Sequence, residues 1–245
     1  YSALASAFRG LVEQLLGEPA NRLADWRDAL QAALGSNAAL LVALIPELVP
    51  ISGEQPPVPD LPPAEAQNRF QMVVLNFVRV FATAQHPLVI FLDDLQWSDV
   101  PSLNLLARLA TTRDMAHLLL IGAYRDNAVD VSHPLTVTLD QIRRSRGVVE
   151  LTLAPLELEA VDRLTADTLR TTVERSRPLA RIVFDKTQGN PFFTKELLRS
   201  LHESGSIRFA PDMGRWEWDT AAVASATVAD NVVDFMVSAL RRLPQ

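Results

Sequence analysis

With 245 residues, 48% of them apolar, the chain has enough material for one large domain or for a domain with a smaller companion, and too much for a disordered one. Its formal net charge of −6 gives no electrostatic reason to expect nucleic acid as the main partner, and the absence of cysteine excludes disulfides, thiol catalysis and thiolate metal sites. The longest apolar run, Ala38 to Ile45, is cut by Pro46 and Glu47 and is too short to span a membrane, so a soluble, cytoplasmic protein is expected.

In chain order, Leu4, Phe8, Leu11, Val12 and Leu15 recur at helical spacing, as do Leu23, Trp26, Leu30, Ala33 and Leu34. Two amphipathic helices follow, parted near Gly17 and Pro19, and then a short apolar helix from Ala38 to Ile45. The prolines of SGEQPPVPDLPP, residues 52–63, forbid helix or central strand and predict an extended connector. Ala66, Phe70, Val73, Val74, Phe77 and Phe81 then form one stripe of a long helix that ends before His86-Pro87.

The next stretch, His86 to Asp99, reads HPLVIFLDDLQWSD. Leu88 to Leu92 is an uninterrupted apolar run, the pattern of a parallel strand covered by helices on both faces. Asp93 and Asp94 stand at its carboxyl end, where open α/β sheets bind ligands. Ser98 and Asp99 are candidate caps for a helix with Pro101 in its first turn and a stripe of Leu103, Leu106, Ala107 and Ala110. A second strand, Leu118 to Ala123, ends at Tyr124-Arg125-Asp126. Pro134 opens a further helix carrying Leu135, Leu139 and Ile142, and a third strand is expected over Val148 to Leu153. Strands alternating with helices of this length predict a parallel sheet with right-handed crossovers, so Asp93, Asp94 and Arg125 converge on one edge.

Beyond Pro155 the strands give way to helices, over Glu157 to Leu169 and Leu179 to Lys186. Gly189 ends a helix, Asn190 caps the next and Pro191 takes its first position, with Phe193, Leu197 and Leu201 continuing to a stop at Gly205. Ile207 to Phe209 and Arg215 to Trp218 flank a Pro-Asp-Met-Gly turn, a predicted hairpin with Trp216 and Trp218 on one face, covering the neighbouring helices. A last helix is periodic through Val228, Val232, Phe235, Met236, Ala239, Leu240 and Leu243.

A strand-end aspartate can hold Mg²⁺, a hard cation that shares oxygen ligands with substrate phosphates, while a neighbouring carboxylate can polarise the water that attacks a terminal phosphate. An arginine at the end of an adjacent strand supplies a fork of donors for the phosphate oxygens. The same residues are equally those of a plain turn in which Arg125 pairs with the carboxylates. Trp97 is expected to pack where the strand turns into its helix, with base stacking as its other use. Phe192 and Phe193 are core candidates first. The four histidines, His86, His117, His133 and His202, have no metal-ligand spacing.

LVIFLDDLQWSD resembles the Walker B segment of P-loop ATPases of the STAND class, specifically the AAA-type modules of large bacterial sensor kinases and transcription activators. LLLIGAYRD resembles the sensor 1 strand and its arginine, and TQGNPFF the Gly-x-Pro motif of the helical lid. The resemblance implies that Asp93 is the Mg²⁺-site aspartate, Asp94 the water-activating acid and Arg125 the γ-phosphate sensor. It implies that Gly189, Asn190 and Pro191 lie on the adenine side, and that ATP and Mg²⁺ drive a switch in a signalling protein whose other domains are its partners.

The sequence departs from that family in lacking GxxxxGK[ST], whose backbone and lysine hold the phosphates; its two lysines, Lys186 and Lys195, follow no glycine loop. The expectation is therefore an α/β, parallel-sheet, P-loop NTPase-like core, truncated before its first strand and inactive alone, over residues 1–155. A helical lid with a short β-hairpin is expected over residues 156–245. A degenerate ATPase fold serving as an interaction scaffold is the alternative. A receiver domain is disfavoured because no lysine stands near the last strand. Arg215, Arg241 and Arg242 are too few to argue DNA binding by the hairpin and its helix.

Overall fold

A computed structural model describes residues 1–225, which divide into two compact units, Tyr1–Val149 and the chain from Glu150 onward. The last helix expected from Val228 to Leu243, with Arg241 and Arg242, lies outside the described residues.

The first unit begins with helices α1 (Ser2–Leu16), α2 (Ala20–Leu34), α3 (Ala38–Leu44) and the single turn α4 (Val49–Ser52). Residues 53–62 of the proline-rich stretch carry neither helix nor strand, and α5 (Pro63–Phe81) follows, with Pro63 at its first position where no amide hydrogen is needed. Most of its predicted stripe is the spine of the core: Val73, Val74, Phe77 and Phe81 are buried, joined by Val78, while Ala66 and Phe70 are partly buried, and Phe8 and Phe81 stand edge-on to Phe77 at 5.3 and 5.0 Å. Each such side chain contributes about 1.5–3 kcal/mol by leaving water. Arg108 on α6 (Val100–Thr111) donates to the Gln71 amide oxygen of α5 at 2.8 Å and fixes how those two helices cross. The unit closes with α7 (Pro134–Ser145), which packs on α6.

Strands β1 (Leu88–Leu92) and β2 (Leu118–Gly122) pair in parallel, Leu88 opposite Leu118 through Leu92 opposite Gly122. The α/β class is therefore as expected, with two corrections to the sheet. Ile90 and Leu92 face the helical core, whereas Val89, Phe91, Leu119 and Ile121 on the other face are exposed, Phe91 by 57%. Helices thus cover one face of the pair among the described residues. The third strand does not form: Val148 to Leu153 is irregular, and Val149, Leu151 and Leu153 are more than four-fifths exposed. Its alternating apolar pattern suits a strand, but a strand exists only through a ladder partner, and none of the described residues supplies one.

The second unit is helical: α8 (Leu158–Thr168), α9 (Val173–Thr187), α10 (Pro191–Glu203), the antiparallel hairpin β3 (Ile207–Ala210) with β4 (Arg215–Trp218), and α11 (Thr220–Ser225). Val161, Leu179, Ala180, Val183, Leu197, Leu201 and Val223 form its core, against which Trp216 and Trp218 pack. Arg175 stacks over Trp218 at 4.9 Å and donates to Glu217, tying α9 to the hairpin. Helix α9 starts six residues earlier than Leu179 because Thr172 caps it at the Arg175 amide, leaving Pro178 inside the helix. That proline forfeits only one bond, to the Glu174 carbonyl.

Candidate functional site

The polar cluster sits where β1 and β2 end together. Ladder bonding continues past both strands: the Ala123 amide donates to the Leu92 carbonyl at 2.9 Å, and the Leu95 amide to the Ala123 carbonyl at 3.0 Å. These two bonds clamp the turn after β1 to the turn after β2 and bring Asp94 and Arg125 together.

Within that clamp Asp94 adopts a left-handed backbone, φ 53° and ψ 41°. Few side chains tolerate this region, aspartate and asparagine best among them, and the surroundings must enforce it. The Asp94 amide donates to Asp93 Oδ1 at 2.8 Å, and its carbonyl accepts from the Trp97 amide at 2.9 Å. Gln96 Nε2 donates to Asp94 Oδ1 at 2.7 Å. Arg125 Nε lies 3.8 Å from the same oxygen, with both side chains more than half exposed. Such a contact is worth about 0–1 kcal/mol, so the guanidinium is held near the carboxylate without being committed to it.

Gln96, buried to 5% exposure, went unremarked in the sequence although it lies within the acidic stretch. Its signal was an amide placed between Leu95 and Trp97, at the start of a turn that needs polar partners. Trp97 itself corrects the expectation of packing, because its side chain is 80% exposed beside the turn. Gly122, at the end of β2, leaves room for Leu95, whose Cδ1 would stand 2.5 Å from an added Cβ.

Asp99 caps α6 through the Ser102 amide at 2.6 Å.

The donor set at the strand end is two carboxylates with an arginine. Among the described residues no group of three or more His, Cys, Asp or Glu is placed to hold a metal, so no all-protein cage exists there. One or two carboxylates completed by phosphate oxygens and water is the way proteins bind Mg²⁺, and Asp93 and Asp94 fit that requirement.

Gly189, Asn190 and Pro191 belong to the second unit, and its packing accounts for each of them. Gly189 has φ 72°, and a Cβ there would lie 2.0 Å from the Leu156 carbonyl oxygen, while Leu156 donates to the Gly189 carbonyl at 2.8 Å. Asn190 Oδ1 accepts from the amides of Phe192 and Phe193 at 3.0 and 3.2 Å, and Pro191 starts α10. Phe192 is half exposed rather than core, and meets Phe193 edge-on at 5.5 Å.

The family pattern of the AAA ATPase domain matches residues 1–121. The chain is also similar to hybrid signal transduction histidine kinase G of Dictyostelium discoideum, 27% identical over 307 aligned positions. That alignment takes in 99% of this chain and 9% of the relative, so the chain spans less than a tenth of the curated relative it matches. No solved structure matches. The family match supports an AAA-type ATPase module that includes β1, its acidic turn and most of β2. No helix of the described residues is long and apolar enough to cross a membrane.

Proposed function

We propose that the chain is part of an ATP- and Mg²⁺-dependent switch of the STAND class in a multidomain signalling protein of the cytoplasm. The observation that carries the proposal is the meeting of Asp94 and Arg125 at the ends of two parallel strands, Asp94 inside the stretch that the AAA ATPase domain matches and Arg125 just beyond its end at residue 121. The signalling setting is supported by the name of the Dictyostelium relative.

Asp93 is the proposed Mg²⁺ ligand, Asp94 the acid that orients the attacking water, and Arg125 the donor to the γ-phosphate. In that role the loose contact between Arg125 and Asp94 is an advantage, because phosphate oxygens can take up the guanidinium without breaking a strong pair. Gly189, Asn190 and Pro191 are proposed for the adenine side on their motif alone.

The 245 residues contain no GxxxxGK[ST] loop, so nothing among them supplies the usual nest of amides and lysine for the phosphates. Isothermal calorimetry of this chain with Mg-ATP is therefore expected to show weak binding or none; micromolar affinity would contradict that. In a longer protein that carries such a loop, Asp93→Asn is expected to abolish Mg²⁺-dependent hydrolysis and Arg125→Ala to blunt discrimination between ATP and ADP. Unchanged turnover in both variants overturns the ATPase reading.

A second reading, an ATPase fold retained as an interaction scaffold, is favoured by the open apolar face of Val89, Phe91, Leu119 and Ile121. ATP hydrolysis by the longer protein decides between the two.

A further inference from the structure

We propose that Gln96 is the positioning residue of the site, setting the Asp94 carboxylate by tying it to the backbone of Arg125. The proposal rests on the ATPase reading for its chemistry, though not for its geometry.

Both ends of the Gln96 amide are in use. Nε2 donates to Asp94 Oδ1 at 2.7 Å and Oε1 accepts from the Arg125 amide at 3.2 Å. The orientation of the amide follows from its partners, since an ionised carboxylate only accepts and a backbone N–H only donates. An amide 5% exposed that lost either partner would keep a polar atom out of water without a bond, so the two contacts support one another.

No other side chain in the cluster does this. Arg125 Nε, at 3.8 Å, is too distant for a hydrogen bond to Asp94, whose backbone is already fixed by Asp93 and Trp97. What remains to be set is the carboxylate's rotation, and Gln96 sets it by holding Oδ1. The same amide grips the first residue after the β2 turn, so a displacement of Arg125 toward a phosphate pulls on the group that holds the acid. Gln96 thereby links the nucleotide-sensing arginine to the water-orienting aspartate.

Few residue types could replace it. Glutamate keeps the length and an acceptor for Arg125, but when ionised turns an acceptor toward Asp94; its protonated form regains a donor. Leucine has neither group, and asparagine is one carbon short of spanning both partners.

Amide hydrogen exchange by NMR on this chain tests the bridge without requiring turnover. The Arg125 amide is expected to be protected, and Gln96→Leu to cut that protection at least tenfold while the Ala123 amide, bonded to Leu92, keeps its own. Gln96→Asn, one carbon short of spanning both partners, is expected to lose the protection as well. Unchanged Arg125 exchange in Gln96→Leu overturns the proposal.

In the longer protein, Gln96→Leu is expected to lower kcat for Mg-ATP about tenfold with KM changed less than twofold. An unaltered kcat there refutes the positioning role. If the wild-type longer protein neither binds nor hydrolyses Mg-ATP, the ATPase reading fails, and the exchange measurements still decide whether the bridge exists.

Discussion

The turn at Asp94 and the turn at Gly189 both enter the left-handed region, with φ of 53° and 72°. At Gly189 the reason is local packing: the Leu156 backbone passes so close that no side chain fits, and the neighbouring asparagine and proline start the next helix. At Asp94 a residue with a side chain occupies the strained conformation, held there by its neighbours, and its carboxylate remains more than half exposed. One turn is strained because the chain must get past an obstacle; the other keeps a charged group aimed at solvent, which folding alone does not require. A motif residue earns a functional reading when the fold leaves its chemistry unexplained, and by that standard the acidic turn is the stronger half of the family resemblance.

The largest test of this contrast is Gly189→Ala. With a Cβ 2.0 Å from a carbonyl oxygen at positive φ, it should destabilise the second unit by about 3 kcal/mol, read by denaturant unfolding followed through Trp216 and Trp218 fluorescence. A loss below about 1 kcal/mol would mean the glycine is not there for packing and would return it to the list of ligand residues. Next in size, Asn190→Ala should cost about 1 kcal/mol in the same assay by stripping the cap from two amides of α10.

The smallest expected change is the sharpest comparison. Asp94→Asn keeps an oxygen for Gln96 and a residue type suited to left-handed backbone, so stability should move by less than about 0.5 kcal/mol while the carboxylate is lost. Thermal unfolding that drops by more than about 1 kcal/mol would show the charge to be holding the fold, and the contrast with Gly189 would collapse.

Most of the scaffold was legible in the residues. Period-3.6 stripes such as Val73, Val74, Phe77 and Phe81 announce helices because the buried face must recur each turn, and two unbroken apolar runs announced β1 and β2. Val148 to Leu153 carries a strand's pattern yet forms none, because pairing is a property of two segments and the pattern reports one. The late start expected for α9 is of another kind: the helix begins at the Thr172 cap, and the polar residues Glu174 to Arg177 that follow carry no apolar stripe to announce it. In the site, types and spacing revealed the acids and the arginine. The Gln96 bridge could not be read, since it joins residues 29 apart through a strand register that only the folded chain defines.

The pair of strands beneath the acidic turn has a consequence for motion. Two parallel strands are not stable by themselves, and among the described residues this pair is anchored to helices through one face. The hydrogen bonds of the turn fix its shape, and the packing of Ile90 and Leu92 in the helical core fixes its place. Its fluctuations should follow the looseness of that core, so a cavity opened well away from Asp94 would be felt there as a blurred carboxylate position before the unit as a whole gave way.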